Sequence, residues 1–252
     1  MLLTAVVFAA VTAKLPATFV PPPILMYHRV DTVRPADRLG RSLTLDPARL
    51  DQQLSLLKAR GLAAISMEDL YRRLLAGRPL DRVVVATFDD GYADQYRYAV
   101  PILRRYGATA TFYIVTGNVG RRGHLDWTSL ARMAREGMDI AAHGVAHDDL
   151  SLMTAKQQRA QVEGSVNVLR VRLGVRVDSY AYPSGRFNRT TLALLREARV
   201  PLAVTTDRLY VLPPENSLEI PRVRVRSEWT PAQFWQALSR ARAAASVVLA
   251  SI

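Results

Sequence analysis

Two kinds of pattern alternate along the chain. Runs of four to seven apolar and β-branched residues are followed by longer stretches in which apolar residues recur every three or four positions. The short runs predict strands at 24–28 (ILMYH), 62–65 (LAAI), 82–88, 109–115 (TATFYIV), 138–142, 177–182, 200–205 and 219–225. The longer stretches predict helices at 93–106, 127–136, 154–173 and 189–198, and another from Thr230-Pro231. Two further helices carry their own boundaries. Asp46 precedes Pro47 as a helix cap, Leu50, Leu54 and Leu57 share one face, and Gly61 stops the helix. Ser66 with Asp69 resembles a capping box, Leu70 and Leu74 follow, and Gly77 ends the helix.

Strands alternating with helices imply parallel strands and crossover helices, wound into a barrel or left open. In both forms chemistry sits at the C-terminal ends of the strands. The chain of 252 residues suits one such domain, and it shows no internal repeat and no low-complexity linker.

Two strand ends carry chemistry. VVVATFDDGY (83–92) places Asp89 and Asp90 side by side where a strand stops. DIAAHGVAHDDL (139–150) places His143 and His147 four apart just past another strand. Parallel strands bring both to one rim. One carboxylate and two imidazoles form a set suited to Zn²⁺ or a similar divalent ion, with positions left for water and substrate. The second carboxylate then stays free to take a proton from water. Adjacent charges that repel as a bare turn acquire a reason in a metal-assisted hydrolase.

TFDDGY (87–92), H-x-x-x-H (143–147) and AYPSG (181–185) resemble, in order and spacing, the motifs of polysaccharide deacetylases. This is the NodB-homology domain, carbohydrate esterase family four. The resemblance spans roughly residues 24–225. It implies a distorted (β/α) barrel with an incomplete set of parallel strands and one divalent metal ion, zinc first, with cobalt, nickel or iron as alternatives. It implies removal of N-acetyl, sometimes O-acetyl, groups from polymers such as chitin, peptidoglycan, xylan and poly-β-1,6-N-acetylglucosamine. By the resemblance Asp89 is the base, and Asp90, His143 and His147 hold the metal.

Two departures stand out. Ala181 and Ser184 replace the Arg and Tyr usual in the third motif, and no His follows His147 to serve as a late acid. The opening ILMYHRV (24–30) resembles the subfamily that deacetylates poly-β-1,6-N-acetylglucosamine, in which the first strand supplies the acid; His28 holds that position. Arg222, or Arg224 two residues on and same-facing, is the candidate to orient the base. The Ser184 N–H would face the oxyanion. Trp127 resembles the family's groove-wall tryptophan. Tyr92 and Tyr182 line the pocket or pack, Asp126 orients a site group or caps a helix, and His124 lies in a loop without a nameable partner.

There is no Cys, so disulfides and thiolate–metal sites are excluded. The formal net charge is +12, carried almost wholly by Arg. It fits an anionic envelope or membrane surface, and equally an Arg-rich composition; no nucleic-acid motif accompanies it. Residues 1–13 are small and apolar, matching a signal-peptide core or short anchor, and Pro21-Pro22-Pro23 reads as a stiff lead-in. The expected layout is a leader over 1–23 and a deacetylase domain over 24–252, exported and monomeric, acting on an acetylated polysaccharide. An O-acetyl esterase and a non-catalytic carbohydrate- or surface-binding protein are the alternatives.

Overall fold

The computed structural model describes residues 21–32, 35–206 and 217–250, the last six of these by backbone alone. The leader expected over 1–13 lies outside the described residues. Ten strands and eight α-helices are present among those described: β1 (Ile24–Tyr27), β2 (Arg29–Val30), α1 (Arg38–Leu43), β3 (Thr44–Leu45), α2 (Pro47–Ala59), β4 (Ala63–Ile65), α3 (Met67–Leu75), β5 (Val83–Phe88), α4 (Val100–Arg105), β6 (Thr111–Ile114), α5 (Trp127–Arg135), β7 (Asp139–Ala142), α6 (Ala155–Leu173), β8 (Ser179–Ala181), α7 (Arg189–Glu197), β9 (Leu202–Val204), β10 (Val223–Arg224) and α8 (Pro231–Ala250).

The main sheet is wholly parallel, in the order β10-β1-β5-β6-β7-β8-β9, with β4 pairing the N-terminal half of β5. The segment leading into β10 closes the curl. Ile220 bridges Val204 of β9, and three residues later Val223 pairs Leu25 of β1. The result is the incomplete, distorted (β/α) barrel that the motifs imply. The strand expected over 219–225 is realised as this split pairing rather than as one continuous strand.

Alternation along the strands sorts side chains between two cores. Val84, Ala86, Phe88, Phe112, Ile140 and Tyr180 face the helices, whereas Val83, Val85, Tyr113, Ala141 and Ala181 form an interior cluster. On the helix side Tyr27, Phe88 and Phe112 stack in a ladder with centroids 5.0 Å apart at each step. Stacked aromatic pairs contribute about 0.5–1.5 kcal/mol each beyond area burial. This ladder pins the register at the strand ends, so His28 and Asp89 follow level with each other.

The opposite mouth of the barrel is plugged by α3. Ser66 accepts from the Asp69 N–H as its cap, and Met67, Leu70 and Leu74 pack into the interior cluster. The Glu68 N–H donates to Asp139 at 3.2 Å, and Thr111 donates to the same carboxylate at 2.7 Å.

Three further features differ from expectation. The helix expected over 93–106 opens as a wide π turn, Gln95–Ala99, before α4. Pro101 lacks the N–H that a regular turn needs there. The pairing of β2 with β3 is too short to leave a periodic signature. Pro21–Pro23 are buried, and the Pro23 carbonyl accepts from Val85 N–H at 2.9 Å. The proline run therefore packs as part of the barrel edge.

Candidate active site

The alternation Val83-Val85-Thr87-Asp89 carries the inward side of β5 to its C-terminal rim. Asp139-Ala141-His143 does the same on β7, and Ile220-Arg222 on the closing segment. Asp89 and Arg222 meet there. Two parallel hydrogen bonds of 2.7 Å each run from the Arg222 guanidinium to the two Asp89 oxygens. Arg222 also donates to the Thr205 carbonyl at 2.9 Å and to Thr87 Oγ1 at 3.1 Å. The side chains are 0% and 3% exposed, so this pair is buried. Burial alone would raise the Asp89 carboxyl. The charge and hydrogen bonds of Arg222 outweigh it and hold the group below its ordinary range.

Asp90 turns the other way, because its backbone is left-handed (φ 74°), as is that of Gly91 (φ 72°). Asp tolerates this conformation and Gly is free in it. The turn brings Asp90 Oδ1 to 3.5 Å from both His143 Nε2 and His147 Nε2. His143 Nδ1 lies 2.7 Å from the Ala181 carbonyl, which can only accept. Nδ1 therefore carries a proton, and in the neutral ring Nε2 presents its lone pair towards Asp90. Asp90 Oδ1 is buried without a hydrogen-bond partner. One donor atom from each of Asp90, His143 and His147 lies within 4.8 Å of the other two. Lone pairs converging on an orphaned carboxylate oxygen fit a divalent cation. These three residues are the ones that would hold it.

His28 follows β1 beside Asp89, whose N–H donates to the Tyr27 carbonyl at 3.0 Å. Burial lowers the His28 imidazole, and the charges of Asp89 and Asp90 offset this only in part. Gln95, fully buried, donates to the carbonyls of both His28 (2.8 Å) and Asp89 (2.6 Å) and ties the two strand ends together. Sequence reasoning passed over Gln95; its only signal was a polar residue on the inner side of a helix start. Asp94 was likewise missed. It accepts from Arg29 Nε at 2.8 Å and from the Val30 N–H at 3.0 Å.

The remaining expected residues divide. Tyr92 is half-buried at the rim, between the Arg29 guanidinium (5.1 Å from its centroid) and the His124 ring (5.2 Å). Burial and the Asp90 charge push its hydroxyl up to about 12. His124 thus has a partner after all, and Tyr92 supplies it. Tyr182 does not line the rim. It is fully buried on the helix side of the sheet, donates to the Leu218 carbonyl at 2.7 Å and stacks on Phe187. Ala181 takes the inward position, so its neighbour must face outward.

Trp127 is half-buried against the helix-side core, with the Arg172 guanidinium 4.8 Å from its ring centroid. Both contacts are packing contacts. Asp126 caps α5, accepting from the Ser129 N–H at 2.7 Å. Ser184 is exposed in a tight turn after β8 with a left-handed backbone (φ 54°).

Residues 76–203 match the family model described as polysaccharide deacetylase, and the chain belongs to that family. The fold is similar to that of the Streptococcus pyogenes deacetylase PplD, solved in complex with acetate. That likeness has TM-score 0.80 and 33% identity, covering 87% of this chain and 98% of that one. The sequence is 28% identical over 213 residues to YxkH of Bacillus subtilis, covering 84% of this chain and 74% of that protein. It is 24% identical over 202 residues to the poly-beta-1,6-N-acetyl-D-glucosamine N-deacetylase of Staphylococcus aureus, covering 75% of this chain and 70% of that enzyme.

Proposed function

We propose that this polysaccharide deacetylase is a metal-dependent amidohydrolase that removes N-acetyl groups from an N-acetylglucosamine polymer, poly-β-1,6-N-acetylglucosamine or a related envelope glycan. The observation that carries the reading is the buried Arg222 fork on Asp89, set beside the convergent donors of Asp90, His143 and His147. The named activity of the Staphylococcus aureus relative and the position of His28 at the end of β1 support the polymer class.

A divalent ion on those donors, zinc before cobalt, nickel or iron, would polarise the acetyl carbonyl and acidify a water. The protein supplies the rest. Arg222 occupies one lone-pair direction on each Asp89 oxygen and leaves the others open. Asp89, kept ionised, takes the proton of the attacking water. The Ser184 N–H faces the oxygen on which negative charge develops. His28 delivers a proton to the departing nitrogen, because an amine anion is a very poor leaving group. Acetate and a free glucosamine result. No Ser or Cys nucleophile stands with a base partner among these residues, so a covalent intermediate is not part of the scheme.

The reading takes 24–252, together with the packed Pro21–Pro23 lead-in, as the catalytic domain of an exported monomer, with the basic charge favouring an anionic surface. No helix among the described residues is long and apolar enough to cross a membrane. The test is acetate release from β-1,6- and β-1,4-N-acetylglucosamine oligomers, peptidoglycan and acetyl-xylan. Release from β-1,6 oligomers in preference to the others is expected. Release from acetyl-xylan alone would replace the reading with an O-acetyl esterase.

A further inference from the structure

His147 is the most exposed of the three candidate metal donors, with 39% of its side chain open to solvent. It sits on a loop, at a left-handed backbone position (φ 60°). A single bond of a flexible side chain does not fix such a residue; its turn must be held. The structure holds that turn from two sides.

On one side is α6. The half-buried Gln161 side chain turns its oxygen onto the turn and accepts two successive N–H groups, Val145 at 2.8 Å and Ala146 at 2.9 Å. On the other side is the loop after β6. Thr116 N–H donates to the Gly144 carbonyl at 3.1 Å and Gly117 N–H to the Val145 carbonyl at 2.8 Å. The approach at Gly117 is so close that a Cβ there would lie 2.5 Å from the Val145 carbonyl oxygen. Every residue between His143 and His147 is therefore tied to a neighbouring element by its backbone.

We propose that Gln161, assisted by the close approach at Gly117, is a positioning residue that sets His147 at coordinating distance from Asp90 and His143. This rests on the reading of those three residues as the metal set. Gln161 touches neither substrate nor reacting atoms; it acts through the 144–146 backbone. Its oxygen is the active part. A substitution that keeps an acceptor should keep the site, and one that keeps only volume should not.

The test uses the full chain, stripped of metal and titrated with Co²⁺ and Zn²⁺ against a competing chelator, with the Co²⁺ ligand-field absorption as a second readout. Gln161→Met keeps length and removes the acceptor. Loss of a group that orients a metal ligand weakens affinity about 10–100-fold, and that is the expected loss, with an altered Co²⁺ band. Gln161→Glu, which keeps the acceptor oxygen, should restore affinity and band together. Gly117→Ala, pressing on the same turn from the other side, should shift the band in the same way and supplies the readout if Gln161→Met does not fold. Wild-type affinity and an unchanged band in both Gln161→Met and Gly117→Ala would overturn the proposal. So would equal losses in Gln161→Met and Gln161→Glu. A wild-type chain that binds metal, and loses it in His147→Ala but not in Gln161→Met, would sink this inference and leave the metal set standing. No uptake by the wild type would sink both.

Discussion

Arg222→Met removes the cation from a carboxylate whose side chain is only 3% exposed. Asp89 is buried, its two bonds to Arg222 are 2.7 Å each, and Arg222 outweighs His143 and His28 in stabilising its charge. Removing one partner of a buried ion pair costs about 3–5 kcal/mol. The Thr205 carbonyl and Thr87 Oγ1 also lose a donor, which places the expected cost in the upper half of that range. A loss of that size lowers the folding equilibrium by roughly three to four powers of ten. Urea unfolding of metal-free protein measures it without reference to catalysis.

The double-mutant cycle sharpens the point. Asp89→Asn removes the charge that Arg222 serves. Arg222→Met combined with Asp89→Asn should therefore be more stable than Arg222→Met alone, because no uncompensated charge is left behind. A cost below about 1 kcal/mol for Arg222→Met, the level of a surface change, together with strict additivity, would refute the buried fork and the orientation of the base that depends on it.

Three further outcomes are expected. Burial, with Glu68 and Asp178 adding, pushes the Asp139 carboxyl up to about 7 from its ordinary 3.8, so the fold favours its protonated form. Its contribution is full below pH 4 and is lost as pH rises towards 7; Asp139→Asn should flatten that slope and be the more stable protein at pH 8, read by thermal melts across pH. His28→Ala should keep metal and fold but lose about 10²–10⁴-fold in amide turnover, while an activated acetate ester, whose leaving group needs no proton, is spared; equal losses on both would remove His28 from the acid role. Despite the net charge of +12, turnover of neutral short oligomers should vary little with salt, whereas adsorption to anionic vesicles should fall as salt rises; turnover that collapsed in modest salt would point to an anionic substrate.

Much of this site was legible because it is built on alternation. Once β5 and β7 are read as parallel strands, Asp89 and His143 must point inward at one rim, and the turn residues Asp90 and His147 follow. The capping signals at Asp46 and Ser66 were equally local, and both helices start where those signals say. What could not be read depends on depth and register. Arg222 and Arg224 lie on the same face of the chain, and only the pairing of Val223 with Leu25 decides which one reaches Asp89. The stacking of His124 on Tyr92 joins two loops whose conformations no periodicity encodes. Tyr182, open between lining the pocket and packing, packs, because its neighbour Ala181 holds the inward position. The Gln95 and Gln161 contacts are side chain to backbone, and a sequence pattern does not specify such partners.

The central claim is that Asp90, His143 and His147 hold an ion without which the amide is not cut. Acetate release from β-1,6-N-acetylglucosamine oligomers by chelator-stripped protein, before and after one equivalent of Zn²⁺, tests it directly. The account predicts no release from the stripped protein and recovery on adding the ion. Undiminished release from protein shown to be metal-free would contradict it.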